Sequence, residues 1–96
     1  MQDSETHEKP SQRARVLIYT TRFCSYCLAA KAMLDEKNVD YLEVDVEEPE
    51  KRKLMVQHSK GRRTVPQIFI DGVHIGGYDE MAALDREAKL DRMLGN

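Results

Sequence analysis

Beyond one pair, Cys24 and Cys27, the 96-residue chain has no cysteine. That excludes the multi-bridge disulfide framework of small secreted domains and fits a reducing compartment. A basic surplus is missing too: 15 Lys and Arg stand against 17 Asp and Glu. Such a balance offers little to a phosphate backbone, so no nucleic-acid partner is expected. No apolar run is long enough to span a membrane, and none is expected to do so. Residues 1–12 are polar, include Asp3, Glu5 and Glu8, and lack the apolar segment of a signal peptide. The expectation is a cytoplasmic protein with a flexible polar tail over residues 1–14 and one domain over residues 15–96.

What is present is the composition of a folded globular chain, 41% hydrophobic and 33% charged. Residues 15–20 form a short β-branched and aromatic run, too apolar for a sheet edge, which predicts a central strand. Across residues 26–37, Ala29, Ala30, Met33 and Leu34 recur at helical spacing while Lys31, Asp35 and Glu36 face outward. Asn38 suits the left-handed position that closes such a helix. Residues 41–46 alternate apolar with acidic as a strand does. Pro49 fits the first turn of a second helix reaching about Ser59, with Leu54, Met55 and His58 on its inner side and Gly61 ending it. Two short strands, 67–70 and 73–75, flank the hairpin dipeptide Asp71-Gly72. After Gly76-Gly77, residues 78–94 read as one last helix with Met81, Leu84, Ala88 and Met93 or Leu94 on its inner face, and with Asp79 and Glu80 suited to its positive start. The order βαβαββα predicts an α/β fold: a four-stranded mixed sheet with helices on both faces, the thioredoxin-like pattern.

Two thiols separated by two residues can close a disulfide where the backbone turns tightly, as at a helix start. Cys24 falls just before the predicted helix and Cys27 inside its first turn. Unpaired amides and the helix dipole favour negative charge on Cys24, which makes it the expected nucleophile. Arg22 is the nearest cation in sequence. The competing reading is half of a zinc site, for which His7, His58 and His74 are the remaining candidates; their spacings match no familiar finger.

Cys24-Ser25-Tyr26-Cys27, with Thr64-Val65-Pro66 and Gly76-Gly77-Tyr78-Asp79, resembles the dithiol glutaredoxins of the thioredoxin-like superfamily over residues 15 to about 92. The absence of Trp separates the chain from thioredoxin itself, whose motif resembles Trp-Cys-Gly-Pro-Cys. The resemblance implies an oxidoreductase that uses glutathione as co-substrate to reduce protein disulfides and glutathione mixed disulfides. It carries a cis proline onto Pro66, leaving the Val65 backbone facing the cysteines to pair with glutathione. It places the γ-glutamyl carboxylate at the start of the last helix, on Gly77, Tyr78 and Asp79, with Asp79 also taking the ammonium, and it puts Thr64 and Tyr26 along the same groove. Family members often carry Lys three residues before the first cysteine, where this chain has Thr21. Arg22, Arg52 or Lys53 is left to meet the glycine carboxylate. Arg62, Arg63, His58 and His74 receive no catalytic role.

The implied cycle has Cys24 attack a glutathionylated protein and a second glutathione free the enzyme, with Cys27 resolving mixed disulfides formed with protein substrates. Partners are then glutathione and disulfide-bonded or glutathionylated proteins, the chain is a monomer, and no metal is obligatory. The alternative is a dimeric carrier in which Cys24 of each chain and two glutathione thiolates hold a 2Fe-2S cluster.

Overall fold

The computed structural model describes residues 14–95. The expected tail lies outside the described residues except for Ala14, which is buried against the core. Strand β1 spans Val16–Thr20, helix α1 Ser25–Glu36, β2 Leu42–Asp45, α2 Pro49–His58, β3 Gln67–Ile70, β4 Val73–Gly76, α3 Tyr78–Arg86 and α4 Leu90–Leu94. The sheet order is β2-β1-β3-β4. β1 pairs parallel with β2 and antiparallel with β3, and β3 pairs antiparallel with β4, so the sheet is mixed and β1 is interior as expected.

Alternation along the two inner strands divides the core in two. Val16, Ile18, Ile68 and Ile70 point to one face, where Ala30 and Leu34 of α1, Met81 of α3, and Leu90 and Leu94 of α4 cover them. Tyr19 and Phe69 point to the other, beneath Met55 of α2. Helices therefore lie on both faces. Each fully buried Leu or Ile among these stabilises the fold by roughly 1.5–3 kcal/mol.

Three helices end in the same way. Asn38, Lys60 and Ala88 adopt left-handed backbone angles, with φ of 63°, 57° and 62°. The amide one residue further on reaches back to the carbonyl five positions earlier: Val39 to Leu34, Gly61 to Val56 and Lys89 to Leu84. This is the Schellman ending, which satisfies carbonyls that the helix leaves unpaired. At Asn38 it was legible from the residue type. At Ala88 it was not, and the single helix expected over residues 78–94 is two. Ala88 is an exposed corner rather than a core residue, and the turn swings Leu90 and Leu94 into complete burial. Lys37 spans the corner with ion pairs to Asp85 (2.7 Å) and Asp91 (2.8 Å).

The inner face of α2 also differs from expectation. Met55 is buried but Leu54 is 58% exposed, since adjacent helical positions point about 100° apart. Ser59, four residues after Met55, is the other buried position, and His58 faces the sheet as expected, its ring stacked on Phe69 and its Nδ1 2.9 Å from the Tyr19 hydroxyl, though the residue keeps exposed surface. The hairpin is as read: Asp71 and Gly72 have φ of 52° and 79°, the two positive angles of its tight turn.

Candidate functional site

Register brings the site together. Tyr19 pairs with Gln67 and Ile68 with Gly76, so the end of β1, the start of β3 and the end of β4 share one edge of the sheet. The segments that continue from those strand ends carry Cys24, Val65-Pro66 and Gly77-Tyr78. Three motifs spread over more than fifty residues of chain are thereby neighbours.

Cys24 is the N-cap of α1, in extended conformation with φ −146°. Its Sγ accepts the Cys27 N–H at 3.1 Å, taking the role a Ser or Asp oxygen plays at other helix starts. Its carbonyl accepts the Leu28 amide, the first bond of the helix. On its other side Sγ lies 3.8 Å from the Val65 carbonyl. The Val65–Pro66 peptide bond is cis. Cys24 is part-exposed and Cys27 is 1% exposed, both as free thiols. Burial first, and then the hydrogen bond with Cys24, push the Cys27 thiol up to about 12, against a smaller opposing effect of a backbone hydrogen bond from Thr21. The two sulfurs are thus unequal. Cys24 sits at a surface where a disulfide substrate can reach it, and Cys27 lies behind it.

Tyr26, on the first turn of α1, is 60% exposed, and its ring lies 6.2 Å from that of Tyr78 at the start of α3. The two tyrosines flank the surface in front of Cys24. Gly77 caps α3 against Pro66: a Cβ on Gly77 would stand 3.3 Å from the Pro66 carbonyl oxygen. Thr64 is exposed, and both its carbonyl and its hydroxyl receive the Gln67 amide, at 2.9 and 3.2 Å.

The cap at α3 is made by Glu80, whose carboxylate accepts the Gly77 N–H at 2.5 Å and pairs with Arg62 at 3.7 Å. That amide, then Arg62, hold the Glu80 carboxyl below the usual carboxylate range. Asp79 is exposed beside it. Glu80 takes the helix-start place expected of it, and the sequence does not show that Arg62 would pair with it there. A glutamate at the third position of the helix is the signal for such a cap.

Arg22 meets Glu47 through both its backbone N–H and its guanidinium, at 3.1 and 4.0 Å, and the guanidinium lies 5.9 Å from the centre of the Phe23 ring. Arg52 donates to the Arg63 carbonyl at 2.9 Å. His58 and His74 stack on Phe69, and His7 lies outside the described residues. Among the described residues no group of three His, Cys, Asp or Glu side chains is placed to hold a metal ion. For a 2Fe-2S cluster the chain offers one accessible sulfur, Cys24, so the other ligands would come from outside it. Among the described residues no helix is long and apolar enough to cross a membrane.

Comparison with known proteins gives the same grouping of residues a family. The family model described as Glutaredoxin matches residues 16–75. Glutaredoxin 3 of Escherichia coli K12 is 49% identical over 82 residues, covering 84% of this chain and 98% of that protein. The solution structure of a glutaredoxin from Brucella melitensis superposes with a TM-score of 0.77 at 44% identity, over 91% of this chain and 95% of that one. A buckwheat glutaredoxin–glutathione complex gives a TM-score of 0.74 at 30% identity, over 82% of this chain and 74% of that one.

Proposed function

The chain belongs to the glutaredoxin family and is a thiol–disulfide oxidoreductase of thioredoxin-like fold, and from that premise we propose that it reduces glutathione mixed disulfides and protein disulfides with glutathione as electron donor. The observation that carries the reading is the inequality of the two thiols. One part-exposed sulfur caps a helix 3.8 Å from the Val65 carbonyl, and one buried thiol stands behind it, pushed up to about 12.

In the first route the Cys24 thiolate attacks the glutathione sulfur of a glutathionylated protein. A Cys24–glutathione bond forms, and the protein sulfur leaves as a thiolate that takes up a proton. A second glutathione thiolate then attacks the glutathione sulfur on Cys24, giving oxidised glutathione and restoring Cys24. In the second route Cys24 opens a protein disulfide, Cys27 displaces the protein thiol by forming the Cys24–Cys27 bond, and two glutathiones reduce that bond. Cys24, part-exposed at the helix start, makes the first attack in both routes, whereas burial keeps Cys27 protonated until a mixed disulfide stands next to it.

Glutathione is an extended peptide with two carboxylates and one ammonium. We assign its cysteinyl backbone to Val65 beside Pro66, with Thr64 and Tyr26 at the edges of the groove. Its γ-glutamyl carboxylate goes to the amides of Tyr78 and Asp79 behind Gly77, and its ammonium to the Asp79 carboxylate. The glycine carboxylate goes to one of the cations Arg22, Arg52 or Lys53. Support comes from the shared sheet edge and from the glutathione bound by the buckwheat relative. We further place the protein in the cytoplasm as a monomer.

A coupled assay tests the reading: a glutathione mixed disulfide, glutathione, glutathione reductase and NADPH, following NADPH loss. Cys24→Ser should abolish turnover, and Cys27→Ser should keep deglutathionylation while losing protein disulfide reduction. An inactive Cys27→Ser protein, correctly folded, would contradict this division of labour.

A further inference from the structure

Lys31 follows Cys27 by one helical turn, and the sequence pattern sets it facing outward. In the structure its side chain is only 24% exposed, and its Nζ donates to Glu43 Oε2 at 2.9 Å. The same oxygen accepts the Thr20 hydroxyl at 2.7 Å. Thr20 is 2% exposed and ends β1, so the carboxylate that holds the ammonium is itself fixed to the sheet. Residues four apart share a helix face, which sets this cation along the stripe that carries the buried Cys27.

The charges are mutually supportive. The hydrogen bond to Glu43, first, keeps the Lys31 ammonium protonated above the ordinary lysine range, and the Cys27 sulfur adds to this. The Lys31 and Thr20 hydrogen bonds hold the Glu43 carboxyl down. Lys31 in turn acts against the rise in Cys27. Tyr41, Asp35 and Asp45 are the other ionisable groups coupled to this cluster.

Burial opposes charge on Cys27, yet that sulfur must become negative when it resolves a mixed disulfide. We infer that Lys31, held by Glu43 and Thr20, is a positioning residue for the resolving step, stabilising the negative charge that develops on Cys27 as it attacks Cys24. This rests on the assignment of Cys27 as the resolving thiol. In the step Cys27 loses its proton to solvent, the Cys24–Cys27 bond forms, and the bond between Cys24 and the departing sulfur breaks. Cys27 is oxidised, and the departing sulfur is reduced and takes up a proton. Lys31 keeps its own proton throughout.

Rapid mixing of the reduced protein with oxidised glutathione, acid quenching and mass spectrometry separate two phases: glutathione addition to Cys24, then closure of Cys24–Cys27 with its release. Lys31 is a minor influence on Cys27 and its ammonium already faces the Glu43 carboxylate, and lower thiolate content is partly offset by higher nucleophilicity, so removing the cation should slow closure by about twofold to threefold. Lys31→Met should therefore slow closure relative to addition and move its pH profile upward, Lys31→Arg should restore both, and Lys31→Gln should behave as Lys31→Met. Circular dichroism checks that each variant is folded, and Lys31→Gln carries the test if Lys31→Met is not. Closure at the wild-type rate and pH profile in folded Lys31→Met or Lys31→Gln, while Cys27→Ser stalls at the glutathionylated species, would overturn the inference alone. Loss of the glutathionylated species at the wild-type rate in Cys27→Ser would overturn the assignment of Cys27 itself.

Discussion

Labelling of Cys27 by iodoacetamide in the folded protein is expected to be far slower than labelling of an unstructured cysteine peptide. A thiol moved from 9.0 to about 12 holds about a thousandfold less thiolate at pH 8. Thiolates of higher basicity are more nucleophilic, with a Brønsted slope of about 0.4–0.5, which returns roughly twentyfold. The net expectation is about fiftyfold slower reaction from charge alone. The 1% exposure of Cys27 adds a steric barrier on top of that figure. Limited labelling followed by peptide mapping should find the first label on Cys24. Full denaturation should bring Cys27 to the rate of the peptide. Because burial is the largest cause of the shift, Cys24→Ser should leave Cys27 slow, though it removes the hydrogen bond that contributes second. Labelling of Cys27 in the folded protein within a few-fold of the peptide would refute both the burial argument and the unequal roles built on it.

Three further outcomes follow from the fold. Ala88→Gly should raise stability in urea denaturation by about 0.5–1 kcal/mol, because glycine adopts the left-handed corner between α3 and α4 without the strain that alanine carries there. Leu34→Ala, at a position with no exposed surface under the sheet, should cost about 2–5 kcal/mol by the same measurement. His74 is held below its usual range by burial first and by Arg62 second, so the unfolded chain binds the proton more readily than the folded one. Its contribution is complete above the unfolded value of about 6.5 and is lost as pH falls from there through the folded value, so the urea midpoint should drop from pH 7.5 toward pH 5 and His74→Gln should flatten that slope.

The sequence by itself determined the class of chemistry and the outline of the fold. Two thiols three positions apart at the start of an amphipathic helix limit the options to a redox pair or half a metal site. The apolar β-branched run of residues 15–20, the alternation over 41–46 and the Asp71-Gly72 hairpin placed every strand to within two residues. The 3.6-residue spacing of the first helix and the Pro49 and Gly61 bounds of the second placed those helices as closely, because all these signals are local. Asn38 and Asp71-Gly72 announced their turns through residue type. What depends on side chains meeting across the fold was not legible. Ala88 carries no signal of a helix end; the corner exists because α4 then buries Leu90 and Leu94 against the sheet. Lys31 reads as a solvated lysine until β2 brings Glu43 beside it, and nothing in the sequence pairs Arg22 with Glu47. The inequality of Cys24 and Cys27 was foreseen in direction from the helix start. Its size comes from tertiary structure, since only packing against the sheet removes water from one sulfur and leaves it at the other.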